Sequence, residues 1–229
     1  MQLVLKEIRE EALDIKSFKF SKENINFIPG QYLSVKLDVK DDRGNMRSFS
    51  IASSPNEDFI MIATKMTGSN FKNKLSSLKT GTKIEVTGPY GNFTLDETKD
   101  AIMLSGGIGI TPLRSMIKYA TEKKLKNKIA LLYSNRIPEE IAFRNELEQL
   151  ARENENFTLV NTITRPEESK ETWNGLKGRI DSNLINKYIK NNTLFYICGP
   201  PGMVGAMVNI LKEMNISQNR IKIEHFTGY

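Results

Sequence analysis

The sequence holds one cysteine and one histidine in 229 residues, and these two scarcities exclude a good deal of chemistry. Cys198 alone can close no disulfide within the chain. It cannot hold an iron–sulfur cluster either, because such clusters need several thiolates. His225 alone rules out a histidine-rich metal centre, so no metal site is expected. Long apolar runs are also missing, and nothing approaches the ~20 residues of a membrane-spanning helix. The charge-dotted start "MQLVLKEIREEALD" is unlike a signal peptide, and a soluble, cytoplasmic protein is expected. Dense blocks of lysine and arginine are absent as well. The formal net charge of +6 arises mostly beyond Glu97, and it reads as solvated surface. With no nucleic-acid motif, no nucleic-acid partner is expected.

What is present changes character along the chain. Up to about Leu95 run the segments "LVLKEIRE", "IKSFKF", "YLSVKLDV", "RSFSIAS", "FIMIATKM" and "KIEVTG". They are rich in β-branched and aromatic residues and separated by turn formers such as "IPG" and "DDRGN", which predicts an antiparallel barrel or sandwich. One stretch, "GSNFKNKLSSL", instead spaces Phe71, Leu75 and Leu78 as a helix does. After Asp96 the rhythm becomes strand and helix in alternation. "AIMLS", "KIALLYSN", "FTLVNTIT", "TLFYIC" and "RIKIEHF" are interleaved with amphipathic segments, the pattern of a parallel sheet in an α/β layer. Two domains are expected, 1–96 and 97–229.

Three stretches carry candidate chemistry. In "RSFSIASSP", alternation puts Arg47, Phe49 and Ile51 on one face of a strand and Ser48 and Ser50 on the other. From the residues alone this is either the wall of a site or an edge strand whose arginine snorkels to water. "LSGGIGITP" follows a strand and opens a helix. Its small residues allow a phosphate close to the backbone, the helix start offers free N–H groups, Thr111 can cap, and Pro112 suits the first turn. "YICGPPGM" repeats the arrangement at a second strand end.

Taken in order, these stretches resemble the ferredoxin–NADP reductase superfamily. Arg47-Ser48-Phe49-Ser50 is similar to its R-x-[YF]-[ST] flavin motif. "GGIGITP" and "CGPPGM" resemble its two nicotinamide-nucleotide motifs, and the ending "EHFTGY" resembles its C-terminal signature. The resemblance implies a six-stranded antiparallel FAD barrel followed by a five-stranded parallel α/β domain that binds NADPH or NADH. Arg47 would grip the flavin pyrophosphate, Phe49 would lie against the flavin, and Ser50 would reach its N5, with Ser48 beside them. "TKMTGSNF" is similar to the following phosphate segment, which adds Thr64, Lys65, Gly68, Ser69, Asn70 and Phe71. The family often has Ser or Thr further into that helix, where this chain has Lys72, so the backbone amides are expected to carry more of the phosphate.

Gly106, Gly107, Gly109, Thr111 and Pro112 would serve the coenzyme, as would Cys198, Gly199, Pro200, Pro201 and Met203. Thr111 would also serve the flavin. Ser134, Asn135 and Arg136 fall where relatives read the adenosine ribose. None is acidic, which leans toward NADPH, with a solvated loop arginine as the plain alternative. Cys198 would lie near the nicotinamide C4, Glu224 would relay a proton with Ser50, and Tyr229 would cover the flavin. The implied activity is hydride transfer from NAD(P)H to FAD and onward transfer to an external acceptor: a ferredoxin, a flavodoxin or a partner subunit. A reductase of free flavin and a non-catalytic flavin- or nucleotide-sensing module are the alternatives.

Overall fold

The computed structural model describes residues 1–190 and 192–226. Its first six strands are β1 (Gln2–Ala12), β2 (Ile15–Ser21), β3 (Tyr32–Lys36), β4 (Met46–Ser50), β5 (Phe59–Lys65) and β6 (Lys83–Tyr90). They form one antiparallel sheet in the order β4-β3-β6-β1-β2-β5. Alternation turns Leu3, Leu5, Phe18, Phe20, Leu33, Val35, Ile84 and Val86 into a shared core. The short helix α1 (Asn70–Ser76) adds Phe71 and Leu75 to it. Just past β4 the chain bonds toward both flanks of the sheet. The Ile51 N–H donates to Gln31 O at 2.9 Å, and the Ala52 N–H to Met61 O of β5 at 2.7 Å. These bonds curl the sheet toward closure.

The remainder alternates as expected: β7 (Ala101–Gly106), α2 (Ile110–Glu122), β8 (Ile129–Asn135), α3 (Arg144–Glu153), β9 (Phe157–Ile163), β10 (Leu176–Lys177), α4 (Ser182–Asn186), β11 (Leu194–Gly199), α5 (Pro201–Glu213) and β12 (Ile221–His225). Among the described residues the second sheet has six parallel strands, ordered β10-β9-β8-β7-β11-β12. The expected count was five. The sixth, β10, is a two-residue edge strand inside the polar loop, too short for any periodicity to announce it. Every residue of β7 and β11 is buried, as suits central strands of a parallel sheet. The chain enters at β7, steps outward to β10, then returns to β11 on the other side of β7. The order therefore reverses between β7 and β11, and α/β sheets open a ligand crevice at the carboxyl ends of such a pair.

By compactness the chain forms two units. One takes Met1–Leu95 together with Thr111–Tyr119, and the other takes Asp96–Ile110 and the chain from Ala120 onward. Within the first unit, Arg114 of α2 pins the loop that leaves β4. Its Nη1 donates to Ala52 O at 2.8 Å and to Glu57 Oε2 at 2.7 Å, and its Nη2 to Glu57 Oε1 at 3.1 Å. Next to it, the Ser115 hydroxyl donates to Ser53 O at 2.6 Å. The pair is nearly dry, with side-chain exposures of 4% and 13% for Arg114 and Glu57. A forked guanidinium on a carboxylate is among the stronger contacts available inside a protein.

Replacing Arg114 by Met keeps the bulk and strands the Glu57 carboxylate, a loss expected to cost about 3–5 kcal/mol of stability. Denaturant unfolding of the full chain at pH 7 measures it. Burial alone would raise the Glu57 pKa, but Arg114, the Ser54 N–H and the charge of Lys118 outweigh burial and hold it below its ordinary 4.5. A folded-state value below the unfolded one gives stability that is present above about pH 4.5 and lost as the pH falls through the folded value. The wild type is therefore expected to lose stability on acidification there, and the Met variant to show a flatter profile.

Candidate functional site

In the first unit, the side chains of β4 meet the start of α1. The Arg47 guanidinium lies 5.2 Å from the Phe71 ring centroid, and the Phe49 and Phe71 rings are 6.1 Å apart. The expected face of Arg47 and Phe49 thus exists, and Phe71 joins it. Ser48 is on the other face, where its hydroxyl and that of Ser34 are 3.0 Å apart, so the structure does not bring it to Arg47. Ser50 is buried at the end of β4.

The α1 turn is built by its sequence. Gly68 has φ +78°, a left-handed conformation that glycine tolerates. The Ser69 hydroxyl caps the helix by accepting from the Lys72 N–H at 3.3 Å. The Asn70 amide donates to Lys40 O at 3.1 Å. Thr64 is buried at the end of β5, with its hydroxyl donating to Lys65 O at 3.4 Å.

Sequence reasoning missed one group at this turn and read a second only as a departure from the family pattern. The first is Asp41. One of its carboxylate oxygens accepts from Arg47, and the other accepts the Phe71 N–H at 2.9 Å. That amide bond is the largest cause, and together with the Arg43 N–H and the charges of Arg47 and Arg43 it keeps the carboxyl below the ordinary range against desolvation. Asp41 lies in "DDRGN", which reads only as a turn. The second is Lys72, noted in the sequence as a departure from the family pattern. Its ammonium donates to Lys65 O at 2.7 Å. Burial, and then the positive charges of Arg43, Arg47 and Lys65, lower its pKa from 10.5 to about 8. A group of four cations beside a helix start fits a pyrophosphate, so the residues present suit FAD.

In the second unit, the two glycine turns lie side by side, because β7 and β11 pair with Cys198 opposite Ser105. A side chain at Gly109 would stand 2.3 Å from the Cys198 carbonyl oxygen, so only glycine lets the first turn approach β11 so closely. The Met203 thioether packs over both turns, 2.6 Å and 3.0 Å from where side chains at Gly106 and Gly199 would begin. Pro201 opens α5 at its first turn. Thr111 and Pro112, in the first turn of α2, are buried, and that part of the helix belongs to the first unit.

Cys198 is buried, with its Sγ 4.0 Å from Glu224 Oε2 on the adjacent β12. Burial, reinforced by that carboxylate, pushes the thiol pKa well above 9. Ser134 and Asn135 end β8, and Arg136 follows it directly. The Arg136 guanidinium, however, donates to Glu168 Oε2 at 2.7 Å, and the other oxygen of Glu168 accepts from Arg165 at 2.9 Å. Tyr229 lies outside the described residues.

This geometry, a group of cations beside aromatic rings and a parallel sheet with paired glycine turns at its switch point, suits a flavin and a nicotinamide nucleotide. The oxidoreductase FAD-binding domain family matches residues 2–95, and the oxidoreductase NAD-binding domain family matches residues 103–209. The chain belongs to the ferredoxin–NADP reductase superfamily, with one domain of the FAD-binding kind and one of the NAD-binding kind.

Among curated relatives, it is 28% identical to a flavohemoprotein of Oceanobacillus iheyensis over 97% of this chain and 58% of that one. It is 34% identical to a component of the Na(+)-translocating NADH-quinone reductase of Serratia proteamaculans, over 66% of this chain and 39% of that one. The chain thus spans little more than half the length of the flavohemoproteins it matches. Among solved structures, the FAD/NAD-binding domain of a Vibrio cholerae nitric oxide dioxygenase shares the fold, with a TM-score of 0.85 and 21% identity over 98% of each chain.

Lys72 yields a pH prediction. A pyrophosphate brought against it stabilises its ammonium and raises its pKa from about 8. FAD affinity is then level below pH 8 and falls as the pH rises above it, because binding must restore a proton. The stability of the flavin-free protein takes the opposite sign. A lysine whose folded value lies below its unfolded 10.5 makes the fold more stable as the pH rises from 8 toward 10.5. Fluorescence titration with FAD between pH 7 and 10, on wild type and Lys72→Met, checks the first trend. The falling limb is expected to be missing in the variant.

Proposed function

We propose that this chain takes hydride from NADH onto FAD and hands electrons to an acceptor outside itself. The observation that carries the reading is the coexistence, in one chain, of the Arg47–α1 anion seat and the paired glycine turns at the β7/β11 switch point. Bound FAD would supply the capacity to accept a hydride and release electrons singly or in pairs. The protein's part is to bind, orient and manage protons. Arg47 and the α1 amides would hold the pyrophosphate, Phe49 would present its ring to the flavin, and the Ser50 hydroxyl would serve the N5 side. The 106–112 and 198–203 turns receive the coenzyme. Cys198, kept as a neutral thiol, packs toward the nicotinamide without adding charge, and Glu224 beside it can hold or pass a proton.

NADH is favoured by Arg136. The sequence leaned toward NADPH because residues 134–136 hold no acid, but Glu168, 32 positions on, supplies one. A 2′-phosphate would have to displace that carboxylate from Arg136, whereas a free 2′-hydroxyl can donate to it. The name of the Serratia relative also specifies NADH. With one cysteine the chain ligates no cluster of its own, so the acceptor is a ferredoxin, a flavodoxin or a partner subunit or domain.

The purified protein is expected to be yellow, to yield FAD on denaturation, and to bleach anaerobically with NADH faster than with NADPH. A wild type that strongly prefers NADPH defeats the coenzyme assignment. Glu168→Gln is expected to narrow the preference by only about two- to fivefold in kcat/KM, because the pair is exposed and weak. Equal loss with both coenzymes would make Glu168 a structural residue.

A further inference from the structure

The donors that would grip the flavin pyrophosphate are already occupied. Asp41 bridges them, accepting from the Arg47 guanidinium with one oxygen and from the Phe71 amide of α1 with the other. The remaining arm of Arg47 is wrapped by the same hairpin turn. Nη1 donates to the carbonyls of Arg43 at 2.6 Å, Gly44 at 2.9 Å and Met46 at 2.8 Å. A carboxylate and a phosphate offer a guanidinium the same forked pair of oxygens, so Asp41 answers the same donors that a pyrophosphate would. Two anions cannot share them without strong repulsion at such short range.

We propose that Asp41 is an internal stand-in for the flavin pyrophosphate, seated on Arg47 and the α1 amide in the flavin-free protein and displaced when FAD enters. The inference rests on the assignment of Arg47 to the pyrophosphate. In the flavin-free chain, Asp41 offsets the mutual repulsion of Arg43, Arg47, Lys65 and Lys72. FAD entry then exchanges one anion for another, which weakens net affinity and makes the flavin replaceable. The hairpin turn is built to yield. Asp42, Arg43, Gly44 and Asn45 are all exposed. Gly44 has φ +78°, with its N–H donating to Asp41 O at 2.8 Å.

The test uses the full chain stripped of flavin, with Asp41→Asn as the variant. The amide keeps an acceptor for the Phe71 N–H and removes only the charge. FAD is expected to bind about tenfold more tightly, the weight of one charge-assisted hydrogen bond no longer competed for. Riboflavin, which lacks phosphate, is expected to bind as it does to the wild type. The flavin-free variant is expected to melt below the wild type and to gain more from added inorganic pyrophosphate. Asp41→Ala serves as a second variant and must move FAD affinity in the same direction.

Unchanged or weaker FAD binding in both variants overturns the proposal, since Asp41 would then support the seat and not compete for it. Arg47→Ala is measured alongside. If it binds FAD as tightly as wild type does, the assignment of Arg47 fails, and the competition fails with it. If it loses FAD while the Asp41 variants gain nothing, only the competition fails.

Discussion

The fork between Arg114 and Glu57 is the constraint on which the flavin side of this protein depends. β4 is five residues long and lies at the end of its sheet, and a short edge strand has little register of its own to hold it. Its register is fixed from behind. Arg114 takes the Ala52 carbonyl and the Glu57 carboxylate, Ser115 takes the Ser53 carbonyl, and the Ser53 hydroxyl receives the Met61 N–H at 3.0 Å. A slip of one residue would exchange the faces of Arg47 and Ser48. The charged pair beyond the end of the strand therefore decides which side chain meets Phe71.

Electrostatics at the α1 start follow a second logic. Burial, and after it the positive charges of Arg43, Arg47 and Lys65, lower the pKa of Lys72. Such a concentration of positive charge is stable only with an anion in it or with a proton surrendered. The protein supplies the anion through Asp41, and Lys72 gives up its proton at a lower pH than an ordinary lysine does. Binding energy for an anionic ligand is in this way divided between attraction and the release of an internal partner, so affinity responds to both salt and pH.

Much of the fold was legible because it follows from period. The alternation in "IKSFKF" and "YLSVKLDV" gave β2 and β3, and the apolar run "LFYIC" gave a central strand of the parallel sheet. The glycine turns were legible because they interrupt strands at the point where helices begin. β10 was not, since two residues carry no period. Long-range polar pairing was hidden for a different reason. Arg114 lies 57 residues from Glu57, and Glu168 is far from Arg136, so no local pattern joins them. Arg114 left one trace, a charge set among Leu113, Met116 and Ile117 on a helix buried almost all round. Asp41 left none, because a turn rich in Asp and Gly explains itself.

The burial of Cys198 has a consequence for how this protein ages. Thiols are attacked by peroxide and alkylating agents as thiolates, and Cys198, dry and facing Glu224, is held in the protonated form. The one sulfur that could have been a redox sensor is chemically quiet. Damage under oxidising conditions instead falls to thioethers, whose oxidation needs no deprotonation. Met203, wedged over Gly106 and Gly199, is the consequential one. An added sulfoxide oxygen there would enter a contact in which the sulfur already lies 2.6 Å and 3.0 Å from where side chains on Gly106 and Gly199 would begin.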